Sequence, residues 1–153
     1  MNQTIYPIGI QNFEKIRKDG YLYIDKTALI YQLVKTGSYY FLSRPRRFGK
    51  SLLLSTLEAY FQGKKELFEG LAMEKLEKEW TKHPILHFDL NISHYDAPDS
   101  LYKILNDTLS RYEEEYGTRP TEETLPLRFA GIIDRAYRKT GQRAVIPVSY
   151  THL

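Results

Sequence analysis

The triplet Gly49-Lys50-Ser51 closes a basic loop, Ser43-Arg44-Pro45-Arg46-Arg47-Phe48, and this is the part of the chain best equipped for chemistry. An apolar, strand-like run (Tyr39 to Leu42) enters the loop, and a leucine-rich pattern of helical spacing leaves it from Leu52. That order suits a nucleotide phosphate. Backbone N–H groups at a helix start point at the anion, the helix dipole favours it, and a lysine reaches the terminal phosphates. The candidate cofactor-binding set is Arg46, Arg47, Phe48, Gly49, Lys50, Ser51 and Leu52. Gly49 lets the backbone approach without a Cβ in the way, Lys50 is the point charge, and the Ser51 hydroxyl is a ligand for Mg2+. Arg46 and Arg47 add charge-assisted contacts, and Phe48 and Leu52 belong to the set through the backbone beside the triplet.

The usual phosphate loop reads G-x-x-x-x-G-K-[ST], and here its first glycine is replaced by Arg44. Pro45 pushes Arg44 toward extended geometry, so the loop entrance is shaped differently while its end is kept. Two other readings use the same residues. One is an ordinary solvated basic turn. The other is a non-enzymatic module in which Arg44, Arg46, Arg47 and Lys50 form a patch that contacts nucleic acid or a protein.

Further constellations are weaker. His87 and Asp89 share a face of an expected strand, with His83 and His94 nearby, but the spacing is not that of a helical zinc site and the chain has no cysteine. A polar strand face is the simpler expectation. Asp89, at the carboxyl end of its strand, is a second-rank candidate for metal support. Asp25-Lys26-Thr27 is expected to cap a helix, with adenine or ribose contact as the sharper alternative. The tyrosines, thirteen in all, are expected to pack with their hydroxyls at the rim of the core. No Ser-His-Asp order or Cys-His pair supports nucleophilic catalysis.

The elements that would position these residues alternate. Tyr21 to Ile24 reads as a strand, and Asp25 then opens a helix with Leu29, Ile30, Leu33 and Val34 at helical spacing up to Gly37. A second helix runs from Lys50 to Gln62 and stops at Gly63, followed by an amphipathic stretch from Lys65 to Trp80. Ile85 to Leu90 is an expected core strand, and Asp99 or Ser100 opens a long helix through Tyr116. Leu127 to Tyr137 marks another helix that stops near Gly141, and Arg143 to Ile146 a third core strand. The predicted fold is therefore α/β with a mainly parallel sheet. With 153 residues, 42% apolar and 27% charged, the chain is of globular composition. Its net charge of +3 is mild, and no run has the length of a signal peptide or a membrane span, so no membrane contact and a cytoplasmic setting are expected.

Two blocks together carry a resemblance. The first is Ile8-Gly9-Ile10-Gln11-Asn12-Phe13-Glu14-Lys15-Ile16 with Gly20-Tyr21-Leu22-Tyr23-Ile24-Asp25-Lys26-Thr27, and the second is Ser43-Arg44-Pro45-Arg46-Arg47-Phe48-Gly49-Lys50-Ser51-Leu52. The chain resembles the AAA-ATPase-like family of bacterial and archaeal P-loop proteins from about Tyr6 to Ile146. The arginine at position 44 is part of that family's pattern. The resemblance implies a P-loop NTPase-like three-layer core, ATP and Mg2+ as cofactors, a Walker-type phosphate site, and an ATPase as the parent protein. Many relatives continue into a domain resembling PD-(D/E)XK nucleases, which makes nucleic acid a partner through the parent. The family's acidic site follows an apolar strand as "D-E-Y-D". Here Ala144-Val145-Ile146 runs into Pro147, with no acidic residue after Arg143. The expectation is a domain of residues 1–146, cut before its acidic metal and water site and incomplete at its C-terminus, hydrolysing little or nothing. Residues 147–153, which resemble translated adapter sequence, are set apart as a foreign tail.

Overall fold

The computed structural model describes residues 12–37, 50–90 and 99–149, which divide into two compact units, residues 1–82 and 83–153.

In the first unit Asn12 starts α1 (Phe13–Lys18), its side-chain carbonyl accepting from the Lys15 N–H at 2.9 Å. Phe13 and Ile16, one helical turn apart, are fully buried. An extended connector leads to α2 (Thr27–Thr36) and, beyond the residues described, to α3 (Lys50–Phe61). Gly63 follows at φ +70°, and a Cβ there would meet the Trp80 carbonyl at 2.8 Å, so the turn and the close approach both require glycine. The stretch expected as one amphipathic segment is split: a 3-10 turn (Lys65–Phe68), then Gly70 at φ +80°, then the short α4 (Ala72–Leu76). Phe13, Ile30, Ala59, Tyr60, Leu67, Phe68, Leu71 and Met73 make one core. Trp80 covers its edge, with ring centroids 5.1 Å from Phe68 and 5.8 Å from Tyr60. This packing holds Trp80 at φ +48°, a conformation that costs a non-glycine residue on the order of 1 kcal/mol or more.

The second unit is built on two helices and a strand pair. α5 (Ser100–Tyr116) buries Thr108 and Leu109. α6 (Leu125–Thr140) starts at Thr124, whose hydroxyl accepts from the Leu127 N–H at 3.3 Å, and stops at Gly141 in the left-handed region. Arg128 reaches Asn106 at 2.5 Å and Glu113 at 2.6 Å, while Arg135 reaches the Tyr116 carbonyl at 2.9 Å and the Gly117 carbonyl at 2.7 Å. Positions rise together along both helices, so α5 and α6 lie side by side in the same direction. Arg135 also holds Glu122, at 2.7 and 2.9 Å. A Cβ on Gly131 would overlap that carboxylate. Gly131→Ala, which in an open helix stabilises by about 1 kcal/mol, is therefore expected to lower the melting temperature, because it displaces Glu122 from Arg135. A raised melting temperature would show that the carboxylate can swing away at no cost.

β1 (Phe88–Asp89) and β2 (Val148–Ser149) pair in parallel, Phe88 opposite Val148 and Asp89 opposite Ser149, with a further bridge from Ile85 to Val145. The ladder runs Val145 N–H to Pro84, Leu86 N–H to Val145, Phe88 N–H to Pro147 and Leu90 N–H to Ser149, at 2.8 to 2.9 Å. Leu86, Phe88, Leu109 and Ile132 form the core between this pair and the helices.

The expected P-loop NTPase-like α/β fold, a three-layer core with a mainly parallel sheet, is not what these residues form. Among the described residues, helices predominate and the sheet is a single open pair of two-residue strands. The run Tyr21–Ile24 has strand-like composition, but only Tyr21 stands in a bridge; Tyr23 sets its ring edge-on against Phe13 at 5.2 Å and Ile24 is 73% exposed, so the rest is an extended connector. The expected strand Arg143–Ile146 contributes the bridge at Val145, and the pairing continues through Pro147, which has no N–H to donate and interrupts the ladder. Tyr39 to Leu42 lies outside the described residues.

Candidate functional site

Of the expected cofactor-binding residues, Lys50, Ser51 and Leu52 are described; Arg46, Arg47, Phe48 and Gly49, like Arg44, lie outside the described residues. Lys50 is the first residue of α3 and half-buried, Ser51 is exposed, and Leu52 packs against the first core. The Leu52 carbonyl accepts from Ser55 Oγ at 3.0 Å and Thr56 Oγ1 at 2.7 Å, and Ser55 Oγ accepts in turn from the Phe13 N–H at 3.0 Å. The opening turns of α3 are thus fastened to the first residue of α1, and Leu52 acts in packing.

Asp25 and Thr27 form a clasp. Asp25 Oδ1 accepts from the Thr27 N–H at 2.9 Å and from Thr27 Oγ1 at 2.6 Å, and Asp25 Oδ2 accepts from the Ala72 N–H at 2.7 Å. Thr27 Oγ1, fully buried, accepts from the Met73 N–H at 3.0 Å. One pair of side chains therefore caps the starts of both α2 and α4, and α4 has no side-chain cap of its own. Burial raises the Asp25 pKa, but the bonds from Thr27 and Ala72 and the charge of Arg17 outweigh it and hold it below the ordinary carboxylate value. Asp25 is the expected cap of α2; the N-cap position is Lys26, and Asp25, one residue earlier, takes the first N–H of α2 and also that of α4, far away in sequence.

The histidines are spread along the strand pair. His83 Nδ1 lies 3.0 Å from the Arg143 carbonyl, and His87 Nε2 lies 3.2 Å from Ser149 Oγ, which donates to Asp89 Oδ1 at 3.4 Å. His94 lies outside the described residues, and among those described no three His, Asp or Glu side chains converge to hold a metal.

A family model described as "Predicted AAA-ATPase" matches residues 7–149. The chain belongs to the AAA-ATPase-like family. It is also 39% identical, over 150 residues, to an uncharacterized protein in the vnfD 5′ region of Azotobacter chroococcum mcd 1. That alignment takes in 97% of this chain and 29% of the relative's length. No solved structure matches. Membership in the AAA-ATPase-like family points to nucleotide interaction in general.

The more specific expectation, an ATP-binding P-loop module with a Walker-type phosphate site, is overturned by the architecture. Among the described residues, helices and one open parallel pair supply no extended sheet from which a strand, loop and helix could hang a phosphate cradle. Among the described residues, the ion pairs of this AAA-ATPase-like chain with the least exposed carboxylates are internal struts: Glu77 with Lys35 at 3.2 Å, Arg128 with Glu113 at 2.6 Å, Arg135 with Glu122 at 2.7 Å. Among the described residues no helix is long and apolar enough to cross a membrane.

Sequence reasoning missed Glu77 and Arg17. Glu77, 7% exposed, takes the Tyr60 hydroxyl and Lys35 on one oxygen and the N–H groups of Lys78 and Glu79 on the other. Arg17 donates to the carbonyls of Leu67 at 2.8 Å and Glu69 at 2.5 Å. Neither carries a local signal. Tyr112 does: it stands on the inward stripe of α5 with a polar tip, and its hydroxyl accepts from the His87 N–H at 2.7 Å and donates to the His87 carbonyl at 3.2 Å.

Proposed function

We propose that the chain is a non-enzymatic interaction module that engages nucleic acid or a protein through the basic patch Arg44, Arg46, Arg47 and Lys50. The observation behind this reading is how charge divides between the two units. Residues 1–82 carry fourteen Lys and Arg against nine Asp and Glu, and residues 83–153 carry eight against ten. Two acids of the first unit are matched nearby, Glu14 with Lys18 at 2.6 Å and Lys64 at 3.1 Å, and Glu77 with Lys35 at 3.2 Å. The loop at 44–50 gathers four of that unit's cations close together in sequence. Such a cluster attracts a polyanion at long range, and arginines hold phosphate or carboxylate by paired N–H donors.

Titration of labelled single- and double-stranded oligonucleotides at several salt concentrations tests the nucleic-acid form. The affinity is expected to fall with a log–log slope of about −0.7 to −0.9 per phosphate contacted. Replacing Arg44, Arg46 and Arg47 by alanine together should flatten the slope by roughly 2 to 3. Undetectable or salt-insensitive binding ends that form and leaves the protein partner. The finer question raised by family membership, ATP with Mg2+ at Lys50 and Ser51, is asked by a separate nucleotide titration of the wild type against Lys50→Ala; equal affinity in both proteins denies Lys50 a part.

A further inference from the structure

The chain leaves the first unit across a strained crossing. α4 ends at Glu77, and residues 78–82 then run over the turn at Gly63, where a Cβ would meet the Trp80 carbonyl at 2.8 Å. Lys78 and Glu79 are exposed, while the Trp80 indole tucks inward, its ring 5.1 Å from that of Phe68 and 5.8 Å from that of Tyr60. Two features oppose this closed position. Trp80 stands at φ +48°, the one non-glycine residue at positive φ among the described residues. Its Nε1–H is buried and meets no acceptor among them, so the indole has given up water without a bond in return. Lifting the indole removes both costs at once, against the loss of its ring contacts.

The ground on either side is firmly held. Glu77 is buried, and its Oε1 accepts from the Lys78 N–H at 3.1 Å and the Glu79 N–H at 3.2 Å, while its Oε2 takes the Tyr60 hydroxyl and Lys35. That carboxylate ties the first two residues of the crossing to α3 and α2 and leaves Trp80 as the first residue beyond the anchor. The core beneath has fastenings of its own: Phe13 against Phe68 at 4.8 Å, the Met73 N–H on Thr27 Oγ1 at 3.0 Å, and Arg17 on the Leu67 carbonyl at 2.8 Å.

We infer that residues 80–82 form a strap over the first core that lifts at Trp80, hinged just beyond Glu77, while the unit beneath stays folded. Lifting bares the faces of the Tyr60 and Phe68 rings that the indole covers when the strap is down. The strap belongs to the first unit and stands independently of the basic patch.

Hydrogen exchange on the full chain tests the inference. The single tryptophan gives one indole N–H signal, and the Met73 amide, bonded to the buried Thr27 hydroxyl, reports the core. After correction for intrinsic rates, the indole N–H is expected to be at least about a hundredfold less protected than the Met73 amide. Its exchange should depend little on added urea, because a local opening exposes little surface. Gly63→Ala places a methyl against the Trp80 carbonyl and should speed indole exchange by about tenfold more than it speeds exchange at Met73. Equal protection and equal urea dependence at the two sites in the wild type overturn the inference, since Trp80 then moves only when the whole unit unfolds. An equal acceleration of both sites in Gly63→Ala overturns it as well.

Discussion

Glu77→Ala is expected to destabilise the first unit by about 2 to 3 kcal/mol, the loss that follows when a buried, fully bonded carboxylate leaves its partners behind. Most of that loss falls on Tyr60, which is 8% exposed and would keep a hydroxyl with no acceptor, and on the chain turning out of α4, where the Lys78 and Glu79 N–H groups lose theirs. Lys35, whose side chain is 50% exposed, returns to water at little cost. Trp80, the single tryptophan, packs against Tyr60, so its fluorescence in a urea titration reports this unit directly. A change below about 0.5 kcal/mol would show that the Glu77 bonds do not hold the unit together.

The same residue fixes a pH dependence. Burial pushes the Glu77 carboxyl up, but the Tyr60 hydroxyl, the Glu79 N–H and Lys35 together outweigh it, and its pKa lies below the ordinary value. Burial and the facing carboxylate raise the Tyr60 pKa, so the shared proton belongs to tyrosine. A carboxyl whose pKa is lower folded than unfolded adds stability that is complete above the unfolded value and disappears as pH falls through the folded one. Glu77→Gln should therefore narrow the gap to wild type as the solution is acidified from neutral. A gap that stays constant would assign the acid sensitivity to other carboxylates.

The second large effect is expected at the clasp. Thr27→Val keeps the shape of a fully buried side chain but leaves the Met73 N–H without its acceptor and Asp25 without a donor, for a loss of about 2 kcal/mol. Asp25→Asn is gentler, about 1 kcal/mol, because one oxygen can still cap α2 while the new amide faces the Ala72 N–H donor. Trp80 fluorescence reads both. If Asp25→Asn left stability untouched and instead changed the binding of a nucleotide or oligonucleotide, Asp25 would be a ligand contact, and the structural reading of the Asp25-Lys26-Thr27 block would fail.

Helix boundaries were largely legible along the chain because their causes are local. Gly141 and Gly63 stop α6 and α3 by taking left-handed φ values, whereas the start of α6 at Leu125, capped by Thr124, lies ahead of the expected Leu127. Gly37 ends α2 as expected, although in extended backbone. The pattern Leu29, Ile30, Leu33, Val34 located α2 but not its orientation: Ile30 is buried while Leu29 is 66% exposed. α1 was overlooked, although Asn12 followed by Phe13 and Ile16 is a cap with an apolar turn behind it.

What the sequence determined by itself was membership in the AAA-ATPase-like family and the placing of caps and stops, since both depend on residues close together in the chain. Tertiary structure alone decided how far the strands extend, where Asp25 and Glu77 send their oxygens, and that the architecture favours an interaction module over a phosphate cradle. Those outcomes turn on partners far apart in sequence: Ala72 for Asp25, Tyr60 for Glu77, Val145 for Leu86. A run of β-branched and aromatic residues states a preference for extended backbone, but only a neighbour's hydrogen bonds make it a sheet.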